Sequence, residues 1–181
     1  CDSPKASRRP SLAVLTPVPP ERSGIASYFE FLVPFIARHY AVTVFHSDHI
    51  QPTGWVYETL DCKPAHEFKE VAEGFDRILY AFGNSEFHAQ MPDLLKEYPG
   101  VVDLHDVFLS GLYNHIDTVT GENGFAKQLL AQYGPEALKL DAEGECRLAS
   151  IYSYCCNLEV TKLALGVIVH SEHAKALISE H

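Results

Sequence analysis

Polar and small residues of reactive type follow several short apolar runs of this chain. Ser23 and Gly24 come after LAVL and a proline-stiffened loop. Asn84 stands in a Gly-Asn-Ser triplet after RILYAF, with His88 about one helical turn further on. His105 and Asp106 follow VVDL directly, and Ser171 and Glu172 follow GVIVH. If each run is a buried parallel strand, these residues share the carboxyl edge of one sheet, where open α/β sheets bind their ligands. The Ser23–Gly24 turn opens a helix, and the free N–H groups and positive dipole end there suit an anion. Gly24 has no Cβ, so a ligand can come close to its backbone. A phosphate or the oxygens of a sugar fit that geometry. Imidazoles, an amide and carboxylates on the same rim can orient hydroxyl groups and move protons.

Each residue also has a plainer role. Gly24 can be a turn glycine, Asn84 an Asx turn or a cap, and Asp106 an N-cap. His88 and His105 can be hydrogen-bonded core histidines, and Ser171 with Glu172 can simply start a helix. Ten histidines in an acidic chain invite a metal, yet neither HExxH nor HxH occurs, so no metal is expected. The convergence of these residues on one rim therefore says more than any one of them.

The elements that must position them alternate between short apolar strands and helices. Strands are expected at Leu12–Thr16, Tyr40–Phe45, Arg77–Phe82, Val101–Leu104 and Gly166–His170, with a further short one at Trp55–Tyr57. Ser23 caps a helix to about Arg38 that is apolar nearly all round, and Pro34 should kink it. A second helix starts at Pro64 and ends near Gly74. Another covers Glu86 to Tyr98, with Pro92 an irritant inside it. The stretch from Val107 to Leu165 is helical and glycine-punctuated, and Ser171 caps a last helix from Glu172 to about Ser179. This alternation predicts an α/β fold: a Rossmann-like three-layer sandwich on a mostly parallel sheet. Residues 1–10 look like a tail or linker and 11–181 like one domain.

Composition narrows the class. With 181 residues, 46% of them apolar and 21% charged, the chain can bury a core without disulfides. Fourteen basic against 24 acidic side chains give a net charge of −10, which argues against a nucleic-acid partner. The five cysteines, with Cys155 and Cys156 adjacent and no CxxC, suit reduced thiols in the cytosol rather than a disulfide framework. No stretch is long enough for a membrane span. The first residue is not Met, which suggests a domain excised from a longer protein.

Three segments resemble a known family. They are PVPPERSGIASYFEFLVPFIARHYAVTVF, then ILYAFGNSEFHAQMPDLLKEYPGVVDLHDVFLSGL with its GNSxFH and LHDxFLSG runs, then GVIVHSEHAKALI. In order and spacing they are similar to the N-terminal domain of a GT-B glycosyltransferase of the retaining family four, over residues 12–178. The resemblance implies hexosyl transfer from a nucleotide-sugar donor to a glycan or lipid-linked acceptor, without a cofactor. It places the protein in the cytoplasm, or peripherally at the inner face of the membrane.

By the same resemblance, Gly24 approaches the donor diphosphate, with Ser23 beside it, and His105 stands at the reacting sugar. Asn84 and His88 fall on the acceptor side of the cleft, with Asp106, Ser171 and Glu172 as further candidates. The C-terminal donor-binding domain, with its glutamates and phosphate-binding cations, lies outside this sequence, so the fragment alone is expected to be inactive. Two other classes fit the same rim: a non-catalytic carbohydrate- or nucleotide-binding domain, and a metal-dependent hydrolase using the histidines and Asp106.

Overall fold

The computed structural model describes residues 8–143 and 147–179. Of the expected tail, residues 1–7 lie outside the described residues, as do Gly144 and Cys146. The strands are β1 (Ser11–Leu15), β2 (Ala41–His46), β3 (Asp61–Pro64), β4 (Arg77–Phe82), β5 (Val101–Leu104) and β6 (Gly166–Val169). They form a parallel sheet in the order β3-β2-β1-β4-β5-β6, flanked by helices. That order is the doubly wound one, and the architecture is the expected Rossmann-like sandwich. Two compact units, Cys1–Leu79 and Tyr80–His181, divide the chain within β4.

In the first unit, β1 pairs with β2 through Leu12↔Val42 and Val14↔Val44, two runs rich in β-branched residues. Helix α1 (Gly24–Ile36) buries Ile25, Ala26, Phe29 and Val33. A helix apolar nearly all round is expected to be buried or to face a second domain, and the first unit buries only one of its sides. Its other side is open, with Phe31 76% and Phe35 57% exposed. Pro34 lies inside the helix.

Two further expectations fail between residues 46 and 74. Trp55–Tyr57 is not a strand but part of a short helix, α2 (Trp55–Thr59), opened by Gly54 at φ +107°. The strand of this region is β3, DCKP, paired with β2 through Val44↔Cys62. It is polar because it lies at the sheet edge, and Pro64 ends it where a missing N–H costs no ladder bond. The helix expected after it is broken into a 3-10 turn (Ala65–Glu67), α3 (Phe68–Val71) and a second 3-10 turn (Ala72–Gly74). Phe68 is fully buried, edge-on to Phe45 at 5.0 Å between ring centroids. At the unit's lower end Asp76 accepts hydrogen bonds from the backbone N–H and the hydroxyl of Ser11, at 2.8 and 2.9 Å.

In the second unit, the segment 86–98 is a 3-10 turn (Glu86–His88) and then α4 (Met91–Glu97). Pro92 lies in the first turn of α4 rather than inside a longer helix, and its missing donor is harmless there. Tyr80 ties β4 to α4, its hydroxyl donating to the Tyr98 and Leu94 carbonyls at 2.7 and 3.2 Å. Among the described residues, five helices lie between β5 and β6: α5 (Ser110–Thr120), α6 (Gly124–Tyr133), α7 (Pro135–Glu143), α8 (Arg147–Ser153) and α9 (Leu158–Leu163). Their apolar faces meet in a core of Leu109, Leu112, Phe125, Leu129 and Val160. Gln132 of α6 accepts the Asn157 N–H at 3.0 Å, and Asn157 donates to the Val107 carbonyl at 2.9 Å. The helical layer is thereby tied to the segment that leaves β5. Strand β6 pairs with β5 through Val101↔Gly166 to Leu104↔Val169, and α10 (Glu172–Ser179) closes the described residues. Among them no helix is long and apolar enough to cross a membrane.

Candidate functional site

Ser23 and Gly24 belong to the first unit. Ser23 is extended, at φ −121° and ψ 136°, and its hydroxyl accepts the Ile25 N–H at 3.2 Å, so it caps α1 as its residue type favours. The loop before it is pinned by Glu21, whose carboxylate accepts the Val18 N–H at 3.1 Å. Gly24 is exposed, and a Cβ built on it would meet nothing within 4 Å. Nothing inside the chain therefore requires glycine at this position.

The remaining candidates belong to the second unit. Asn84 follows β4 and is tied in through its backbone and its side-chain oxygen. Its backbone N–H donates to Asp106 Oδ2 at 2.9 Å, and its Oδ1 accepts the Leu112 N–H at 3.0 Å. It thus caps the first turn of α5, for which Leu109 supplies no side-chain cap. Gly111 lets it come near, since a Cβ there would lie 2.9 Å from Asn84 Oδ1. Asp106 is exposed and holds the turn after β4 through that same contact with Asn84.

His88 is completely buried. Burial pushes its imidazole down to about 4, against the smaller opposing pull of the Ala81 backbone and the Asp106 carboxylate. Neither ring nitrogen completes a well-formed hydrogen bond, although the Ala81 backbone lies near enough to favour the charged ring. At neutral pH the side chain is an uncharged part of the core. Ser171 caps α10, its hydroxyl accepting the Ala174 N–H at 3.0 Å, and Glu172 forms an exposed pair with Lys175 at 3.8 Å.

His105 has the richest surroundings. Its backbone N–H donates to the Phe82 carbonyl at 2.9 Å, which fixes the chain as it leaves β5. Its Nε2 lies 3.5 Å from Asp103 Oδ2, and the other oxygen of that carboxylate lies 2.7 Å from His170 Nε2. The two imidazoles stack, with centroids 4.5 Å apart and planes 28° from parallel. The side chains of Asp103, His105 and His170 are 3%, 14% and 36% exposed, so the group runs from the core out to solvent. Strand geometry makes this arrangement. Residues 103 and 105 lie two apart on one face, and residue 170 comes one step past the registered pair Leu104↔Val169.

A carboxylate bonded to an imidazole nitrogen fixes the tautomer and orientation of the ring, as in catalytic and metal-binding histidines. The three ligand atoms of Asp103, His105 and His170 lie within 4.8 Å of one another and could also hold a metal ion. Sequence reasoning singled out His105 and met His170 at the end of the last strand, but missed Asp103 between them. An aspartate inside an otherwise apolar strand, VVDL, was the available signal, because a buried carboxylate needs a partner.

No family model, no curated protein and no solved structure matches this chain.

Proposed function

We propose that this chain is the N-terminal, acceptor-side domain of a retaining GT-B glycosyltransferase, which moves a sugar from a nucleotide-sugar donor to a glycan or lipid-linked acceptor. The observation that carries the reading is His105, standing just past the carboxyl end of β5 with its Nε2 3.5 Å from the buried Asp103 carboxylate and its ring stacked on His170. Such transfer requires the acceptor hydroxyl to be held at the anomeric carbon, and charge to be stabilised on the departing diphosphate. In this reading His105 bonds a hydroxyl of the donor sugar and fixes its orientation, while Asp103 acts as a positioning residue. The α1 N-terminus at Ser23–Gly24 offers free N–H groups to the diphosphate, and the open space beside Gly24 fits close approach. The remaining grip on the donor comes from a second domain of the full-length protein. Asn84 and Asp106 support the turn after β4, and His88 lies under it.

The test is turnover of a panel of nucleotide sugars by the full-length protein. His105→Ala is expected to lower kcat by roughly 10³-fold while far-UV circular dichroism and Tm stay unchanged. Near wild-type turnover removes His105 from the site. A full-length protein that binds a nucleotide sugar tightly but transfers nothing replaces this reading with a non-catalytic binding domain.

A further inference from the structure

Asp103 carries a demand that sugar binding by His105 leaves unmet. Its carboxylate is only 3% exposed, and the ion-pair partners found for it among the described residues are the two imidazoles of His105 and His170. No lysine or arginine pairs with it among those residues. A buried carboxylate whose charge is balanced by no lysine or arginine is a natural ligand for a cation. We propose that Asp103, His105 and His170 form a binding site for a divalent transition-metal ion of the zinc class.

Three observations carry the proposal together. The ligand atoms, one oxygen and two imidazole nitrogens, all lie within 4.8 Å of one another. Both imidazoles bring Nε2 to the same carboxylate, at 2.7 and 3.5 Å from its two oxygens, so the three donor groups are clustered. The frame is rigid, because β5 and β6 pair in parallel register up to Leu104↔Val169 and the rings stack at 4.5 Å. Two nitrogens and one oxygen select zinc, cobalt or nickel over magnesium or calcium, which take oxygen ligands. Three protein ligands leave at least one position for water or an incoming group. Asp106 is not part of the set, and one of its carboxylate oxygens accepts the Asn84 N–H.

The site stands whether or not the chain belongs to a transferase. Should the transferase reading also hold, an ion that engages His105 competes with the donor sugar for the same imidazole, and zinc inhibits transfer.

The experiment is equilibrium dialysis of the metal-free chain against buffered zinc, and separately against cobalt, with elemental analysis of the retained ion. One equivalent is expected at about 10 μM free zinc, together with a rise in Tm, because an ion that binds only the folded state stabilises it. In His170→Ala the affinity should fall by about 100-fold and the Tm rise should vanish. If His170→Ala loses its native circular dichroism, His170→Gln is measured in its place against the same two outcomes. No retained ion, or equal retention by wild type and variant, overturns the proposal. Because the readouts are bound metal and Tm, a negative result leaves the His105→Ala turnover assay as an independent test of the transferase reading.

Discussion

The two places where this chain offers chemistry are built in opposite ways. At the ends of β5 and β6, His105 is held by its backbone bond to Phe82, by the Asp103 carboxylate and by the stacked ring of His170. At the start of α1, Ser23 satisfies one backbone donor and Gly24 lies in open space with nothing near its missing side chain. The first place is organised by contacts within the chain itself. The second supplies a helix N-terminus with room beside it, a place suited to an anion.

The sharpest way to break this comparison is Asp103→Asn. The amide keeps the shape but offers an N–H where the imidazoles now meet an acceptor, so one or both rings must change tautomer or turn away. Turnover of the full-length protein is expected to fall by roughly 10²–10³-fold, with KM for the donor changing less than kcat. A variant with unchanged kcat would mean that His105 needs no brace, and the contrast between the two places would collapse.

The next effect concerns what lies under the braced end. His88 is buried and its imidazole is depressed to about 4, chiefly by desolvation, against an ordinary value of 6.5. Its unfolded form therefore binds a proton at higher pH than the folded form does. Above pH 6.5 neither state is charged and the residue costs nothing by this route. As pH falls from 6.5 toward 4, unfolding gains a proton and stability is lost, by about 2 kcal/mol at pH 5. Urea unfolding of wild type and of His88→Leu at pH 7 and pH 5 measures this. The variant should lose about 2 kcal/mol less than wild type over that interval, and equal losses would show that His88 does not titrate as a buried neutral ring.

The sheet was largely legible because most of its strands are dense apolar runs: LAVL, AVTVF, RILYAF, VVDL and GVIV. Ser23 and Ser171 announced their helices as caps. The strand that escaped, DCKP, lies at the sheet edge, where one side of the ladder needs no partner and polar residues cost little. Pro92 misled, since a proline at an element's boundary obeys a different rule from one inside it. In the candidate site, single reactive residues could be read but not their pairing. His105 was visible as a histidine after a strand, yet Asp103 and His170 become its partners only through the register of β5 with β6. Asn84 was visible as a turn residue, but its bond to the Leu112 N–H spans 28 positions and no local pattern encodes it.

The smallest of the predicted effects tests the open half of the comparison. Gly24→Ala places a methyl group where nothing lies within 4 Å, so no neighbour has to move. Gly24 is also the first residue of α1, and alanine there lowers the entropy of the unfolded chain. Stability should therefore hold or rise by up to about 1 kcal/mol. If a diphosphate comes close to this backbone in the full-length protein, the same methyl group stands in its path, and kcat/KM for the donor should fall by about tenfold. The two measurements separate two roles that sequence alone left equal. Unchanged kcat/KM in a variant at least as stable as wild type makes Gly24 an ordinary turn glycine and leaves the chemistry of this chain to the ends of β5 and β6. A loss of kcat/KM without a loss of Tm assigns the open space to the ligand, because no atom of the chain itself competes for it.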